Sequence, residues 1–210
     1  MVHFAGEEMK VLVMMPLYKI MDASCVISLI GFQSEFYDAN IAMKFAMCNG
    51  FNAAKARRGL VKHAAEETFD YDYALWLDSD HFYKKADFDT LVARMEKDNL
   101  SMLSGSYKMR GSNETAHGIT DEKGFHHFDY KDFKPGELVE CDVVGFGFLV
   151  MKRQFIKDMV AQFGDRLFYL DADQNGTEDV TFCARAKEAG HKVMFHPDVR
   201  IGHVESALRI

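Results

Sequence analysis

The sequence has no apolar stretch approaching the ~18 to 20 residues needed to cross a bilayer, so no membrane span is expected. Its opening residues, MVHFAGEEMK, carry acidic side chains and lack the apolar segment of a secretory leader, which argues against export. Cysteine is scarce. Cys25, Cys48, Cys141 and Cys183 lie far apart with no CxxC pair, a pattern that fits reduced, mostly buried thiols in a cytosolic protein better than a disulfide framework or a zinc site. The sequons Asn113-Glu-Thr115 and Asn175-Gly-Thr177 carry little meaning without an export signal. An excess of positive charge is also missing. Lys and Arg number 25 against 32 Asp and Glu, a net charge of −7, so no global field attracts nucleic acid and only a local basic groove could. Internal repeats and low-complexity linkers are absent, which leaves one domain over residues 1–210 as the economical organisation. Hydrophobic content of 48% excludes a largely disordered chain.

The chemistry that is present concentrates in residues 73–80, YALWLDSD, an unbroken apolar run ending in two aspartates. Such a run suits a central parallel strand covered on both faces. Strand alternation would project Asp78 and Asp80 together and turn Ser79 away. Carboxylates at the carboxyl end of a buried strand stand where open α/β sheets place their ligands. A hard divalent cation shared with a substrate's phosphates needs that arrangement. The bland alternative is a polar pair that ends a strand and starts a turn.

Around this run, strand and helix signals alternate. Val11 to Met15 reads as a strand stopped by Pro16, and Asp22 to Phe32 as a helix marked by Val26, Ile27 and Ile30 and ended by Gly31. Ile41 to Met47 reads as a second strand, and Asn52 as the cap of a helix reaching about Glu67 with Ala53, Ala56, Leu60 and Ala64 on one face. After the Asp-ended strand come a helix over Ala86 to Lys97, with Phe88, Leu91, Val92 and Met95 inward, and a strand over Leu100 to Ser106. This β-α-β-α-β-α-β order predicts a mostly parallel sheet with right-handed crossovers. Residues 108–136 read as loops plus a small hairpin, in which the adjacent His126 and His127 would face apart. Cys141 to Met151 reads as a strand whose Gly145 and Gly147 mark a bend, a bulge or a close backbone approach. A helix over Lys152 to Phe163 ended by Gly164, a helix from Glu178 capped by Thr177, and a strand over Lys192 to Phe195 before Pro197 complete the pattern.

Four motifs stand in order: ARRGLV (Ala56 to Val61), LWLDSD, VVGFGFLVMKR, and EDVTFCARAKEAG followed by HPDVRIGH. This set resembles the GT-A glycosyltransferases, in particular the family-2-like group that uses nucleotide-sugar donors, over residues 10–204. The resemblance implies an α/β fold with a mostly parallel central sheet flanked by helices and a small acceptor lobe. Residues 1–106 would form the nucleotide-sugar-binding half and 107–210 the acceptor and catalytic half.

It also implies roles. Asp80 would ligate Mn²⁺ or Mg²⁺, with Asp78 beside it, Ser79 within the donor motif, and His203 completing the coordination. Asp179 of the Glu178-Asp179 pair would be the catalytic base of an inverting enzyme, at a helix start whose dipole favours its ionised form. Arg57 would fork onto the donor diphosphate, while Arg58 departs from the Asn common at its position. Pro16 and Tyr18 would border the nucleotide base, with Tyr18 stacking on uracil, and Gly145 and Gly147 would lie beside the donor sugar and acceptor.

The implied function is metal-dependent transfer of a sugar from a nucleotide-sugar donor, a UDP-sugar first among them, to an acceptor hydroxyl. Two other readings stay open: a different divalent-metal enzyme such as a phosphohydrolase or nucleotidyltransferase, and a catalytically idle nucleotide-sugar-binding module. The acceptor, a glycan or a modified nucleic acid base, has no signature in residues 107–136, and the oligomeric state is left open. By analogy with soluble members of bacterial, phage or large-virus type, the expected compartment is the cytoplasm, that of the host for a viral or phage gene.

Overall fold

The structure, a computed structural model, describes residues 8–17, 21–50, 52–169 and 177–204. Strand β1 (Lys10–Leu17), helix α1 (Ala23–Asp38), β2 (Ala42–Asn49), α2 (Ala53–Glu66) and β3 (Tyr73–Leu77) come first. The two-residue β4 (His81–Phe82), α3 (Lys85–Lys97) and β5 (Met102–Ser106) follow. A hairpin of β6 (Glu114–Asp121) and β7 (Gly124–Asp129) precedes β8 (Val139–Glu140), β9 (Phe148–Lys152) and α4 (Arg153–Phe163). The order closes with α5 (Glu178–Glu188), β10 (Met194–Arg200) and β11 (Gly202–His203).

Seven strands form one sheet in the order β2-β1-β3-β9-β5-β10-β8. β2, β1, β3, β5 and β10 run in one direction, and β9 and the edge strand β8 oppose them. The sheet is thus mostly parallel, as the alternating pattern predicts. One feature differs. β3 and β5 are not neighbours, because β9 inserts between them and pairs with both. Both sheet faces are covered, so the apolar runs need no alternation. In β1, Val11, Val13 and Met15 pack toward α1 and α3, while Leu12 and Met14 pack toward α2, α4 and α5. In β3, Tyr73, Leu75 and Leu77 take the first face and Ala74 and Trp76 the second. The four cysteines are free thiols, three of them buried. No helix among the described residues is long and apolar enough to cross a membrane.

Several boundaries depart from expectation. Gly31 does not end α1, which runs on to Asp38. A Cβ at Gly31 would meet nothing within 4 Å, and the glycine's cost of about 1 kcal/mol is offset by burial of Phe32 and Phe36 beyond it. Val26, Ile27 and Ile30, which signal this helix in the sequence, face solvent; the buried side is Cys25, Phe32 and Phe36. Pro16 lies inside β1 rather than stopping it. β3 pairs with β1 only as far as Met14, so the missing N–H of Pro16 interrupts no ladder on that side. Pro197 lies inside β10, at the irregularity between His196 and Arg200 where the register against β5 shifts. Gly145 and Gly147 precede β9 instead of lying within it.

Candidate active site

β3 delivers its chain to a tight turn, so Asp78, Ser79 and Asp80 are not strand residues, and strand alternation does not govern them. All three line one cavity of about 350 Å³ at the carboxyl ends of β1 and β3, together with Pro16, Leu17, Gly50, Ala53, Ala56 and Arg57. The expectation that Ser79 points away is therefore corrected by the turn. The Asp78 amide donates to the Gly147 carbonyl at 3.2 Å, and the Tyr83 hydroxyl donates to the Asp78 carbonyl, which together fix the turn.

Arg57 enters this cavity from the buried side of α2, a helix capped by Asn52 through a 2.9 Å bond from the Lys55 amide. Its guanidinium donates to Asp78 Oδ1 at 3.2 Å and to Glu178 Oε1 at 2.8 Å, and lies 4.7 Å from the Phe146 ring centroid. Burial opposes its charge, yet Asp78 and Glu178 outweigh that and hold its pKa above the ordinary value. Arg57 Nε is buried without a hydrogen-bond partner among the described residues. The next residue, Arg58, does not line the cavity; one helical step of ~100° turns it aside. Glu178 opens α5, so its contact joins residues 121 apart in sequence. Asp179, next in that helix, accepts a hydrogen bond from the Thr177 hydroxyl, and its charge acts on Arg57 and Tyr107.

On the other side of the turn, β4 and β11 pair antiparallel with His203 opposite His81. That short ladder brings His203 to Asp80 across 123 residues, Nε2 to Oδ2 at 3.2 Å. The His203 Nδ1 lies 3.0 Å from the Lys108 carbonyl; a carbonyl only accepts, so Nδ1 carries the proton and Nε2 is presented to Asp80. His81 stacks on His203 with centroids 4.4 Å apart and places Nδ1 3.0 Å from Asp80 Oδ1. That contact lacks hydrogen-bond geometry, and both ring nitrogens of the buried His81 are unpartnered among the described residues. Arg110 donates to Asp80 Oδ2, and its Nε stands 3.2 Å from His203 Nε2, which accepts from Arg110 when unprotonated and donates to Asp80 when protonated. Burial pushes the Asp80 pKa up, but the imidazoles of His203 and His81 and the Arg110 guanidinium gathered around it hold it well below the usual carboxylate range. The Asp80 hydrogen bond in turn raises the His203 pKa against partial burial.

Asp80, His81 and His203 offer ligand atoms within 4.8 Å of one another. One ionised carboxylate with two imidazole rings, one of them, His81, offering a buried nitrogen that no described residue satisfies, fits a divalent ion such as Mn²⁺. Asp78 stands outside that cluster, its carboxylate turned to Arg57. Sequence reasoning missed His81 and Arg110. His81 had a signal, since it directly follows the aspartates, whereas Arg110 lies in a stretch with weak periodicity.

Gly145 and Gly147 are buried beside Tyr107. A Cβ at Gly145 would lie 2.0 Å from the Tyr107 hydroxyl, and one at Gly147 2.8 Å from both Tyr107 and His81. The Gly147 amide donates to that hydroxyl at 2.9 Å. The close approach is thus made by the protein's own side chain. Tyr18 lies outside the described residues. His126 and His127 diverge as expected, the first toward Asp121 and the second toward the His117 carbonyl.

A mostly parallel sheet with one central antiparallel strand, and a carboxylate turn facing a cavity at its carboxyl edge, define the class: the chain has the GT-A glycosyltransferase fold. Two solved structures illustrate it. A197 from STIV matches with a TM-score of 0.57 and 18% identity over 96% of this chain and 98% of that one. GalNAc-T7, crystallised with UDP, GalNAc and Mn²⁺, matches with a TM-score of 0.62 and 13% identity over 96% of this chain and 44% of that one. The chain therefore spans less than half the length of GalNAc-T7. No protein-family description and no curated protein sequence matches the chain.

Proposed function

We propose that this chain is a metal-dependent, inverting glycosyltransferase that moves a sugar from a nucleotide-sugar donor, a UDP-sugar, to an acceptor hydroxyl. The observation that carries the reading is the meeting of Asp80 and His203 beside the cavity that holds Asp78 and Arg57. Asp80 and His203 would hold Mn²⁺ or Mg²⁺, with His81 against them; bound there, the ion neutralises charge on the departing diphosphate. Arg57 adds a fixed cation to the same side, and Asp78 and Glu178 hold it in place. Pro16, Ser79 and, from the sequence, Tyr18 would belong to the donor's nucleotide side, and Gly145 and Gly147, packed against Tyr107, would lie toward the donor sugar and acceptor. Asp179 takes the acceptor's hydroxyl proton while the oxygen bonds to the anomeric carbon. The bond from that carbon to the diphosphate breaks, and the nucleoside diphosphate leaves with the electron pair. Free thiols fit a reducing cytoplasm.

The deciding experiment is calorimetric titration with UDP, with and without Mn²⁺. Binding should require the metal and disappear in Asp80→Asn, whereas Asp179→Asn should bind UDP and lose turnover of the UDP-sugar. Failure of every nucleoside diphosphate to bind with Mn²⁺ present would overturn the reading.

A further inference from the structure

A second cavity, of about 380 Å³, takes His203 into its lining and shares no residue with the cavity at Pro16 and Arg57. Lys108, Met109, Arg110, Tyr130, Arg200 and Ile201 line it, with Gly202 and His203 along one edge. Among the described residues its lining holds three permanent cations and no acid. That contrasts with the rest of this acidic surface, where Lys44 sits on Glu67, Lys85 on Asp89 and Lys187 on Asp142. Among the described residues, Lys108 has only the Asn113 amide at 3.0 Å and the Tyr130 ring, 5.9 Å from its centroid. Arg200 has the Pro197 carbonyl at 3.4 Å and the same ring at 5.1 Å. Asp129, the acid whose charge reaches Lys108, is held by Lys131 at 3.0 Å. Tyr130 is itself fixed by a 2.9 Å hydrogen bond from the Ser106 hydroxyl, so the ring is a rigid platform between two cations.

Like charges gathered on one platform repel unless an anion joins them, and guanidinium and ammonium donors match phosphate and carboxylate oxygens. The volume suits a monosaccharide-sized ligand. The geometry points to this cavity as the acceptor subsite, taking an acceptor that carries an anionic group, a phosphate ester or a sugar carboxylate, held by Lys108 and Arg200. The assignment rests on the glycosyltransferase reading, whose acceptor it specifies. The two cavities then flank the Asp80–His203 pair, donor on one side and acceptor on the other. Arg110, tied to that pair, borders the anion as a third donor.

The test is nuclear magnetic resonance titration of metal-free protein with glucose 1-phosphate, with glucuronate, and with glucose as the neutral control. At least one anion should shift the backbone amides of residues 108–110 and 200–203, glucose should not, and the effective anion identifies which group is read. The double variant Lys108→Gln/Arg200→Gln, its fold checked by its amide spectrum, should weaken that binding about 10- to 100-fold, the loss expected for two solvent-screened contacts of ordinary hydrogen-bond strength. UDP with Mn²⁺ is titrated into the same samples. Absence of any anion-induced shift, or an undiminished shift in the double variant, overturns the inference even where UDP binds. Anion binding at these amides without UDP binding sustains the cavity as an anion site and removes the sugar-transfer reading instead.

Discussion

Arg57 and Arg110 both contact an aspartate of the same turn, and they show opposite ways to use one charge. Arg57 is 7% exposed, forked between Asp78 and Glu178 and stacked on Phe146. It is a fixed part of the frame. Arg110, with its side chain 60% exposed, reaches in from outside to Asp80 Oδ2 and His203 Nε2, the atoms a metal would need. A buried cation with two carboxylates is structural and preorganised, because removing it strands two like charges that are mostly shielded from water. An exposed cation at a ligand set is exchangeable, since its pairing is worth little in water.

Four substitutions break or sharpen this contrast. The largest effect belongs to Arg57→Ala, which leaves Asp78 and Glu178 facing one another without a counter-charge. It should cost about 3–5 kcal/mol, read as a lower urea midpoint at unchanged slope. Next is Asp80→Asn, expected to weaken Mn²⁺ binding on the order of 100-fold by calorimetry, since an amide offers no charge to the ion. The third concerns the hairpin flank. His117, fully buried against Ser104 and Phe195, has its pKa lowered by burial from 6.5 to about 3. Between those values the unfolded chain binds a proton that the folded protein refuses, so stability falls as pH drops below 6.5. The loss between pH 7 and 5 should be about 2 kcal/mol, and His117→Leu should remove that part of the pH dependence in denaturation curves. The smallest effect is that of Arg110→Gln. Losing an exposed competitor should tighten Mn²⁺ about two- to fivefold, and a weaker affinity would show that Arg110 supports the site instead of contesting it.

The legible parts of the fold are those whose signal is local. YALWL is buried on both faces and contains no polar residue, so the central strand can be read directly. α3 presents Phe88, Leu91, Val92 and Met95 inward, as its spacing predicts. α1 misleads because its exposed side carries Val26, Ile27 and Ile30, while the phenylalanines that hold it lie past a glycine. In the site, Asp80 stands out through the apolar run that leads to it, whereas the roles expected of Asp179 and His203 rest on the ordered motifs alone. The Arg57–Glu178 bond was invisible, since periodicity carries no information between residues 121 apart. The cation cavity was equally hidden. Lys108 and Arg200 come from different halves of the chain and meet only where β10 lies beside β5.

The β4–β11 ladder is two residues long, yet it clasps position 81 to position 203. A growing chain cannot assemble the Asp80–His203 pair until its residue 203 has emerged and the whole sheet between them has closed. Loop closure over such a span adds only a few kcal/mol of entropy, because the cost grows with the logarithm of length. An ion bound there would reward the completed fold by mass action and no partial one. Affinity for the proposed ion would thus be a gauge of long-range closure: a lesion anywhere in the intervening sheet should register as weakened metal retention before the secondary structure is lost.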